Sequence, residues 1–95
     1  MLAKLDYLDL GFDDAISRSI SIHPNPALES IKFFIPDCRI IKKQIFDISG
    51  RLIFEDENSS VNEIQVLDVS DLPDGMFLLV AKTESGSFYG KFVKE

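Results

Sequence analysis

The sequence predicts an all-β fold, a seven-stranded antiparallel sandwich of immunoglobulin-like kind. Three observations predict it: polar and apolar residues alternate over short stretches, turn-forming residues separate these stretches, and none of them carries the periodicity of a convincing helix. Of the 95 residues, 45% are hydrophobic and eight are Phe, which is enough for one modest core. A single β domain is therefore expected.

Turn signals divide the first half of the chain into four strands. Pro24-Asn25-Pro26 ends the first and Pro36-Asp37 the second, because proline cannot donate a hydrogen bond to a ladder. Ser49-Gly50 joins the third strand to the fourth as a tight hairpin, so these two should pair directly. The predicted strands are residues 19–22, 30–35, 42–48 and 51–55.

The second half adds three strands around a sharp corner. A polar acidic loop over 55–60 precedes the fifth strand, and the Pro-Asp-Gly turn within Leu72–Phe77 leads into the sixth. The sixth strand is apolar on both faces, which predicts a central position, and the Ser85-Gly86 turn should pair it with the last. The predicted strands are residues 63–69, 78–83 and 88–94, and in the fifth Ile64, Val66 and Asp68 alternate with Gln65, Leu67 and Val69.

Residues 1–17 differ from the rest of the chain. They carry four acids against Lys4 alone, and Gly11 interrupts the only apolar stripe that could form a helix. We interpret them as a linker or lead-in from an upstream domain, with the β domain over residues 18–95. These residues lack the pattern of a secretory signal, and no later stretch is long enough to cross a bilayer.

Charge and composition exclude several functions. With 16 acidic and 10 basic residues the net charge is -6, which argues against nucleic acid or anionic lipid as a partner. Cys38 is the only cysteine, so no intrachain disulfide can form, and neither it nor His23 lies in a catalytic signature. The acids over 55–57, or Asp68, Asp71 and Asp74, do not match a calcium loop and are better explained as solvated. We expect no catalysis, cofactor or metal.

Four stretches, taken together and in this order, resemble the C-terminal sorting domain of type IX secretion cargo. They are Ser21-Ile22-His23-Pro24-Asn25-Pro26-Ala27, Ile45-Phe46-Asp47-Ile48-Ser49-Gly50-Arg51-Leu52-Ile53, Asp68-Val69-Ser70-Asp71-Leu72-Pro73-Asp74-Gly75-Met76-Phe77, and Gly86 through Lys91-Phe92-Val93-Lys94. Each stretch alone is common, whereas the set, which spans residues 19 to 94, is fairly specific.

The resemblance implies a role in secretion. Domains of this family end proteins of Bacteroidetes-type Gram-negative bacteria that reach the periplasm by an N-terminal signal. The domain presents its cargo to the outer-membrane translocon, and a sortase-like peptidase commonly removes it at the cell surface. The expected partners are thus the type IX translocon, this peptidase and an upstream cargo domain of the same precursor.

The resemblance also implies which residues matter. The motif residues are Pro24, Asn25, Pro26, Asp47, Gly50, Arg51, Leu72, Gly75 and Phe77, and the hypothesised translocon contact is Lys91, Phe92, Val93 and Lys94. Simpler explanations exist for several: positive φ angles for Gly50 and Gly75, burial for Phe77, Phe88 and Phe92, and exposed edge lysines that discourage aggregation for Lys91 and Lys94.

Three positions depart from the family pattern. His23 stands where Tyr often precedes Pro-Asn-Pro, Phe77 replaces a common Tyr, and Glu95 extends past the usual final Lys. The alternative function is a stand-alone immunoglobulin-like accessory or carbohydrate-binding module. The position of the domain in its full-length gene product would discriminate between the two. An exposed edge strand could also pair with a second copy to form a weak homodimer.

Overall fold

The computed structural model describes residues 18–61 and 63–95, and the described chain is all-β. The strands are β1 (Arg18–Ser19), β2 (Ser30–Phe33), β3 (Arg39–Asp47), β4 (Leu52–Asp56), β5 (Ser60–Val61), β6 (Gln65–Asp68), β7 (Gly75–Thr83) and β8 (Gly86–Lys94). Within these residues there is no helix of the length and apolarity needed to span a membrane. The predicted lead-in over residues 1–17 lies outside the described residues.

The larger of two sheets contains six strands in the order β1-β8-β7-β3-β4, with β5 paired to β3. The predicted hairpins β3–β4 and β7–β8 both form, and β7 occupies the predicted central position. Its inward side chains include Phe77, Leu79 and Ala81, which are 5%, 0% and 0% exposed. Its outward-facing Val80 is also buried, so this strand has a buried apolar side chain on each of its two faces.

The smaller sheet pairs β2 with β6 in antiparallel register. Ile31, Phe33, Leu67 and Val69 point inward from this sheet region and are buried, whereas Val66 and Ile64 are exposed. The predicted alternation of the fifth strand is therefore confirmed, because Gln65, Leu67 and Val69 form the buried series.

The two sheets enclose a single apolar core, as in a sandwich. Ile31 and Leu67 of the small sheet belong to the same buried cluster as Ile45 and Leu79 of the large sheet. One buried polar contact also joins the layers: Lys43 Nζ donates to Gln65 Oε1 over 3.0 Å. The lysine also lies 3.5 Å from Asp56 Oδ2, so its buried charge has a counter-ion.

The structure corrects two details of the predicted architecture. The described residues form eight strands rather than seven, because Ser60, predicted to end the acidic loop, and Val61 pair with β3 as a short additional strand. The large sheet is mixed rather than antiparallel, since β1 runs parallel to β8. Alternation of polar and apolar residues indicates which face of a strand is buried but not the direction of its partner, so it could not reveal this pairing.

Strand boundaries also differ from prediction, most of all at the start. The first strand was predicted over 19–22, but only Arg18–Ser19 forms a ladder. Ile22 is nevertheless buried at 5% exposure, and His23 forms an isolated bridge with Lys32 of β2. The alternating polar and apolar residues over 19–22 therefore belong to a segment that crosses from the large sheet to the small sheet, and not to one continuous strand. Asp56, predicted in the acidic loop, belongs to β4, as does Glu55, the residue at which the predicted fourth strand and the predicted loop meet.

Candidate functional site

The end of β8 is the part of the chain on which the sequence motifs converge. Phe92 and Lys94 face the core, with exposures of 1% and 7%, whereas Lys91 is exposed and Val93 is half-buried. Of the four residues hypothesised to contact a translocon, only Lys91 and Val93 therefore offer side chains to a partner of the folded domain.

Lys94 was predicted to be an exposed edge lysine, and this is wrong. Successive side chains of a strand alternate between faces, so a buried Phe92 places Lys94 on the core side as well. Its Nζ donates to the Leu72 carbonyl oxygen over 3.1 Å and to the Glu95 carbonyl oxygen over 3.4 Å. The lysine thus connects the end of β8 to the corner that precedes β7.

Asn25 holds the outer edge of β8 with its side chain. Its Nδ2 donates to the Lys91 carbonyl oxygen over 3.3 Å, and its Oδ1 accepts a hydrogen bond of 2.9 Å from the Val93 amide. The two flanking prolines have no backbone N–H group that could donate to β8. The side-chain amide of Asn25 supplies both a donor and an acceptor in their place. Both prolines of this motif follow cis peptide bonds.

Ala27 continues the same contact along β8. Its amide donates to the Val93 carbonyl oxygen over 2.7 Å, and its carbonyl oxygen accepts from the Glu95 amide over 2.8 Å. Ala27 is fully buried. Together with β1, which pairs with Phe88 and Tyr89, the Pro-Asn-Pro segment covers the outer edge of β8 along most of its length.

The corner Leu72–Phe77 borders this site on the inner side of β8. Gly75 pairs with Lys94 and has φ +149, an angle that favours glycine. Phe77 pairs with Phe92, and the two rings stack with centroids 5.7 Å apart and an interplanar angle of 27°. Half-buried Leu72 packs on the core. The corner therefore fixes the register of the last hairpin.

The Asp47–Arg51 turn lies beside this corner, because Asp47 pairs with Phe77 across β3 and β7. The Asp47 carboxylate accepts hydrogen bonds from the Ser49 hydroxyl, the Ser49 amide and the Arg51 amide, of 2.6, 2.9 and 3.0 Å. The Ser49 hydroxyl above all, and then the Arg51 amide, hold the pKa of Asp47 below its usual range. Gly50 has φ +88, and Arg51 Nε lies 3.3 Å from the Asp47 carboxylate.

A shallow groove of about 260 Å³ separates this turn from the corner. Its lining includes Ile48, Arg51, Pro73 and Met76. Ile48 is 84% exposed and Met76 is 51% exposed, so this end of the sandwich presents apolar side chains to solvent. Sequence reasoning missed both residues. The available signal was Ile48 itself, an apolar side chain inside a tight turn where polar residues are usual.

The other residues considered for chemistry lie apart from this end or are otherwise engaged. His23 is exposed beside β2, and half-buried Cys38 contacts the Ser85 hydroxyl, with Sγ and Oγ 3.7 Å apart. Glu55 and Glu57 form ion pairs with Lys42 of 3.0 and 3.3 Å. The described residues contain no group of three or more His, Cys, Asp or Glu side chains placed to hold a metal ion.

Comparison with profiles of protein families identifies a family for this chain. The profile of the family described as secretion system C-terminal sorting domain matches residues 21–95. No curated protein matches the chain significantly. The matched range begins at the predicted first motif and includes every strand except β1.

Proposed function

The chain belongs to the family of secretion system C-terminal sorting domains, and we propose that the end of the sandwich built by its four motifs is the surface that the secretion machinery recognises. The domain is a C-terminal secretion signal for the type IX system, and the protein that carries it passes through the periplasm to the cell surface or the medium. A sorting domain is a non-catalytic tail, and this match favours it over a stand-alone accessory module.

One observation carries the proposal: all four motifs meet around the end of β8. Asn25 and Ala27 hold its outer edge, Gly75 and Phe77 its inner edge, and the Asp47 turn lies one strand further on. These contacts with the backbone of β8 give the end of this strand one shape. The exposed Lys91, together with the apolar groove beside Ile48, then supplies side chains for recognition.

Recognition at this end predicts that a single exposed side chain controls export. The chain is fused behind a periplasmic fluorescent protein in a host with a type IX system, and Ile48→Asp is compared with Ile64→Asp. Both isoleucines are exposed, at 84% and 67%, but Ile64 precedes β6 of the small sheet. We expect Ile48→Asp to reduce surface fluorescence several-fold and Ile64→Asp to leave it unchanged, with equal thermal melting of both domains. Equal export of the two variants would reject the proposed surface.

The boundaries and remaining partners belong to the same proposal. Residues 1–17 would join the sorting domain, residues 18–95, to an upstream cargo domain, and a sortase-like peptidase would cut in or near this linker. Mass spectrometry of the cargo recovered from the medium tests this, because a cargo that retains residues 18–95 would contradict cleavage.

A weak homodimer through edge pairing would use β4. The outer edge of β8 is covered by β1 and by the Pro-Asn-Pro segment, whereas β4 ends the large sheet on the other side. Sedimentation velocity over a concentration series tests this proposal. A sedimentation coefficient that stays that of a monomer throughout would exclude it.

A further inference from the structure

The surface proposed for recognition extends from the motif end onto the outer face of the large sheet. A second groove of about 810 Å³, here called the outer groove, adjoins the groove beside Ile48. The two share four lining residues, among them Asp47 and Met76. Along β7 their linings run from Gly75 to Val80, which is roughly 17 Å of strand. A site of this length suits an extended segment of about five residues.

The floor of the outer groove is apolar. Residues opposite each other in neighbouring strands share a face, and the pairs Phe46–Leu78 and Val80–Tyr89 place these four side chains on the outer face of the sheet. Val80 is 5% exposed and the other three are half-buried. Apolar side chains of a partner are therefore stabilised when they cover this floor.

Lys91 brings a positive charge to the edge of this floor. It lines the outer groove and pairs with Leu78, so its exposed side chain stands on the same face. Phe46 is the next residue across the sheet. Within residues 18–61 and 63–95, no ion pair or hydrogen bond engages the ammonium group of Lys91. This charge is therefore available to a partner.

The other charged side chains that line the outer groove are engaged within the domain. The Asp47 carboxylate accepts hydrogen bonds from its own turn and lies 3.3 Å from Arg51 Nε. The Arg18 guanidinium lies over an aromatic ring of β8, 5.2 Å from its centroid, and donates to the Ser85 carbonyl oxygen over 3.2 Å. The charge that this groove offers to a partner is thus positive and belongs to Lys91.

We propose that the part of the secretion machinery that docks here is an extended peptide segment in which a carboxylate side chain neighbours apolar ones. The apolar side chains cover Phe46 and Leu78, and the carboxylate pairs with Lys91. Apolar burial supplies affinity, and the ion pair selects the segment and sets its position. This inference rests on the proposed recognition at the motif end and names the chemistry of its partner.

An anionic lipid combines the same two kinds of group, but the charge of the whole chain disfavours it. The net charge of -6 repels an extended anionic surface. A single carboxylate beside Lys91 interacts mainly with charges within about 8 Å at physiological salt. The observations therefore favour a peptide over a membrane.

Two synthetic peptides test this chemistry directly. Both contain a Leu-Xaa-Leu sequence flanked by serines and blocked at both ends, with Glu at the central position of one and Lys in the other. In NMR titrations of the full chain to millimolar peptide, we expect the Glu peptide to shift the amide signals of Leu78 and Tyr89. The amide of Leu67, in the small sheet, should not move. Affinity for the Glu peptide should exceed that for the Lys peptide roughly threefold, the factor that an exposed ion pair contributes.

Charge variants identify the residue that sets this preference. Lys91→Glu should reverse it, whereas Lys32→Glu, which changes an exposed lysine of the small sheet, should leave it unchanged. The inference is overturned if the Leu78 and Tyr89 signals do not shift, if the two peptides bind equally, or if Lys91→Glu keeps the original preference.

Export in the fluorescent fusion assay separates this inference from the proposed function. Lys91→Arg keeps the charge and should keep surface fluorescence, whereas Lys91→Glu should reduce it several-fold with unchanged thermal melting. If Ile48→Asp lowers export but Lys91→Glu does not, the recognition surface stands and this inference fails. If neither variant lowers export, both fail. Binding to phosphatidylglycerol vesicles that Lys91→Glu abolishes would identify a lipid and overturn the peptide partner.

Discussion

At the scale of single residues, the side chain of Asn25 forms hydrogen bonds with the edge of β8 that the backbone of a neighbouring strand would normally form. The Lys91 carbonyl and the Val93 amide lie on the outer edge of β8, and the Asn25 side chain forms a hydrogen bond with each of them. An exposed edge with unpaired groups invites aggregation. Asn25 therefore protects the last strand while leaving the side chain of Lys91 accessible.

Replacing this side chain should loosen the chain end without unfolding the domain. Asn25→Ala removes two hydrogen bonds, which together stabilise by about 1–2 kcal/mol. We expect that loss in urea unfolding, together with faster hydrogen exchange of the Val93 amide. Asn58→Ala, at an exposed asparagine between β4 and β5, is the control and should change neither. Unchanged exchange at Val93 in Asn25→Ala would contradict the described clamp.

The ionisation of Asp47 makes the stability of the folded domain depend on pH. Its hydrogen bonds, first of all that from the Ser49 hydroxyl, lower its pKa in the folded state below the ordinary value of 3.8. Because the pKa of Asp47 is lowered by folding, the ionised carboxylate stabilises the folded domain at pH values above 3.8. This contribution is lost as the pH falls through the lower pKa of the folded state.

The stability difference between the natural domain and Asp47→Asn should therefore be largest near neutral pH and should disappear as pH falls below 3.8 and through the lower, folded-state pKa of Asp47. Asn keeps the shape and one acceptor oxygen, so the comparison isolates the charge. Urea midpoints over a pH series measure it. A difference that persists unchanged in acid would show that the carboxylate charge has no part in holding the turn.

At the scale of elements, β8 is shaped by a glycine in its middle. A Cβ on Gly90 would lie 2.6 Å from Ile22 Cδ1 and 3.0 Å from the Ile20 carbonyl oxygen. The absence of a side chain thus lets the segment after β1 cross closely over β8. Close packing thus requires a glycine at position 90, which is not among the motif residues.

Gly90→Ala should destabilise the domain by about 1–3 kcal/mol, the usual cost of overpacking. In a double variant, Ile22→Val removes the closest atom, so its combined cost with Gly90→Ala should be less than the sum of the two single costs. Thermal unfolding measures all three variants. Strict additivity would indicate that Ile22 does not meet the new methyl group.

At the scale of the whole molecule, one core of modest size stabilises both sheets. Phe92 contributes to it from β8 with 1% exposure, in contact with Phe77. A small domain has a free energy of unfolding of roughly 5–15 kcal/mol, so a single large cavity removes much of it.

Phe92→Ala should cost about 3–5 kcal/mol, whereas Phe34→Ala, at a phenylalanine that is 47% exposed, should cost far less. Chemical denaturation followed by circular dichroism measures both. Similar costs for the two variants would contradict the described core. Phe92→Ala is also expected to abolish export, but through loss of fold rather than loss of a contact.

The sequence by itself determined the fold class, the two hairpins, the central position of β7 and the buried series of β6. Those features follow from local alternation and turn chemistry, which act between neighbours in the chain. The order of the four motifs likewise identified the family before any geometry was known. Lys94 could have been placed correctly from the same alternation, since it is two residues from the buried Phe92.

Only the tertiary structure decided which distant segments of the chain contact each other. The parallel pairing of β1 with β8, the clamp of Asn25 on a strand 66 residues away and the meeting of four separate motifs all depend on contacts between distant segments. Periodicity specifies that a face is covered, but the covering partner is selected by packing of the whole core. Packing of the whole core therefore brings the four motifs, each a common turn by itself, together at one end of the sandwich in a defined arrangement.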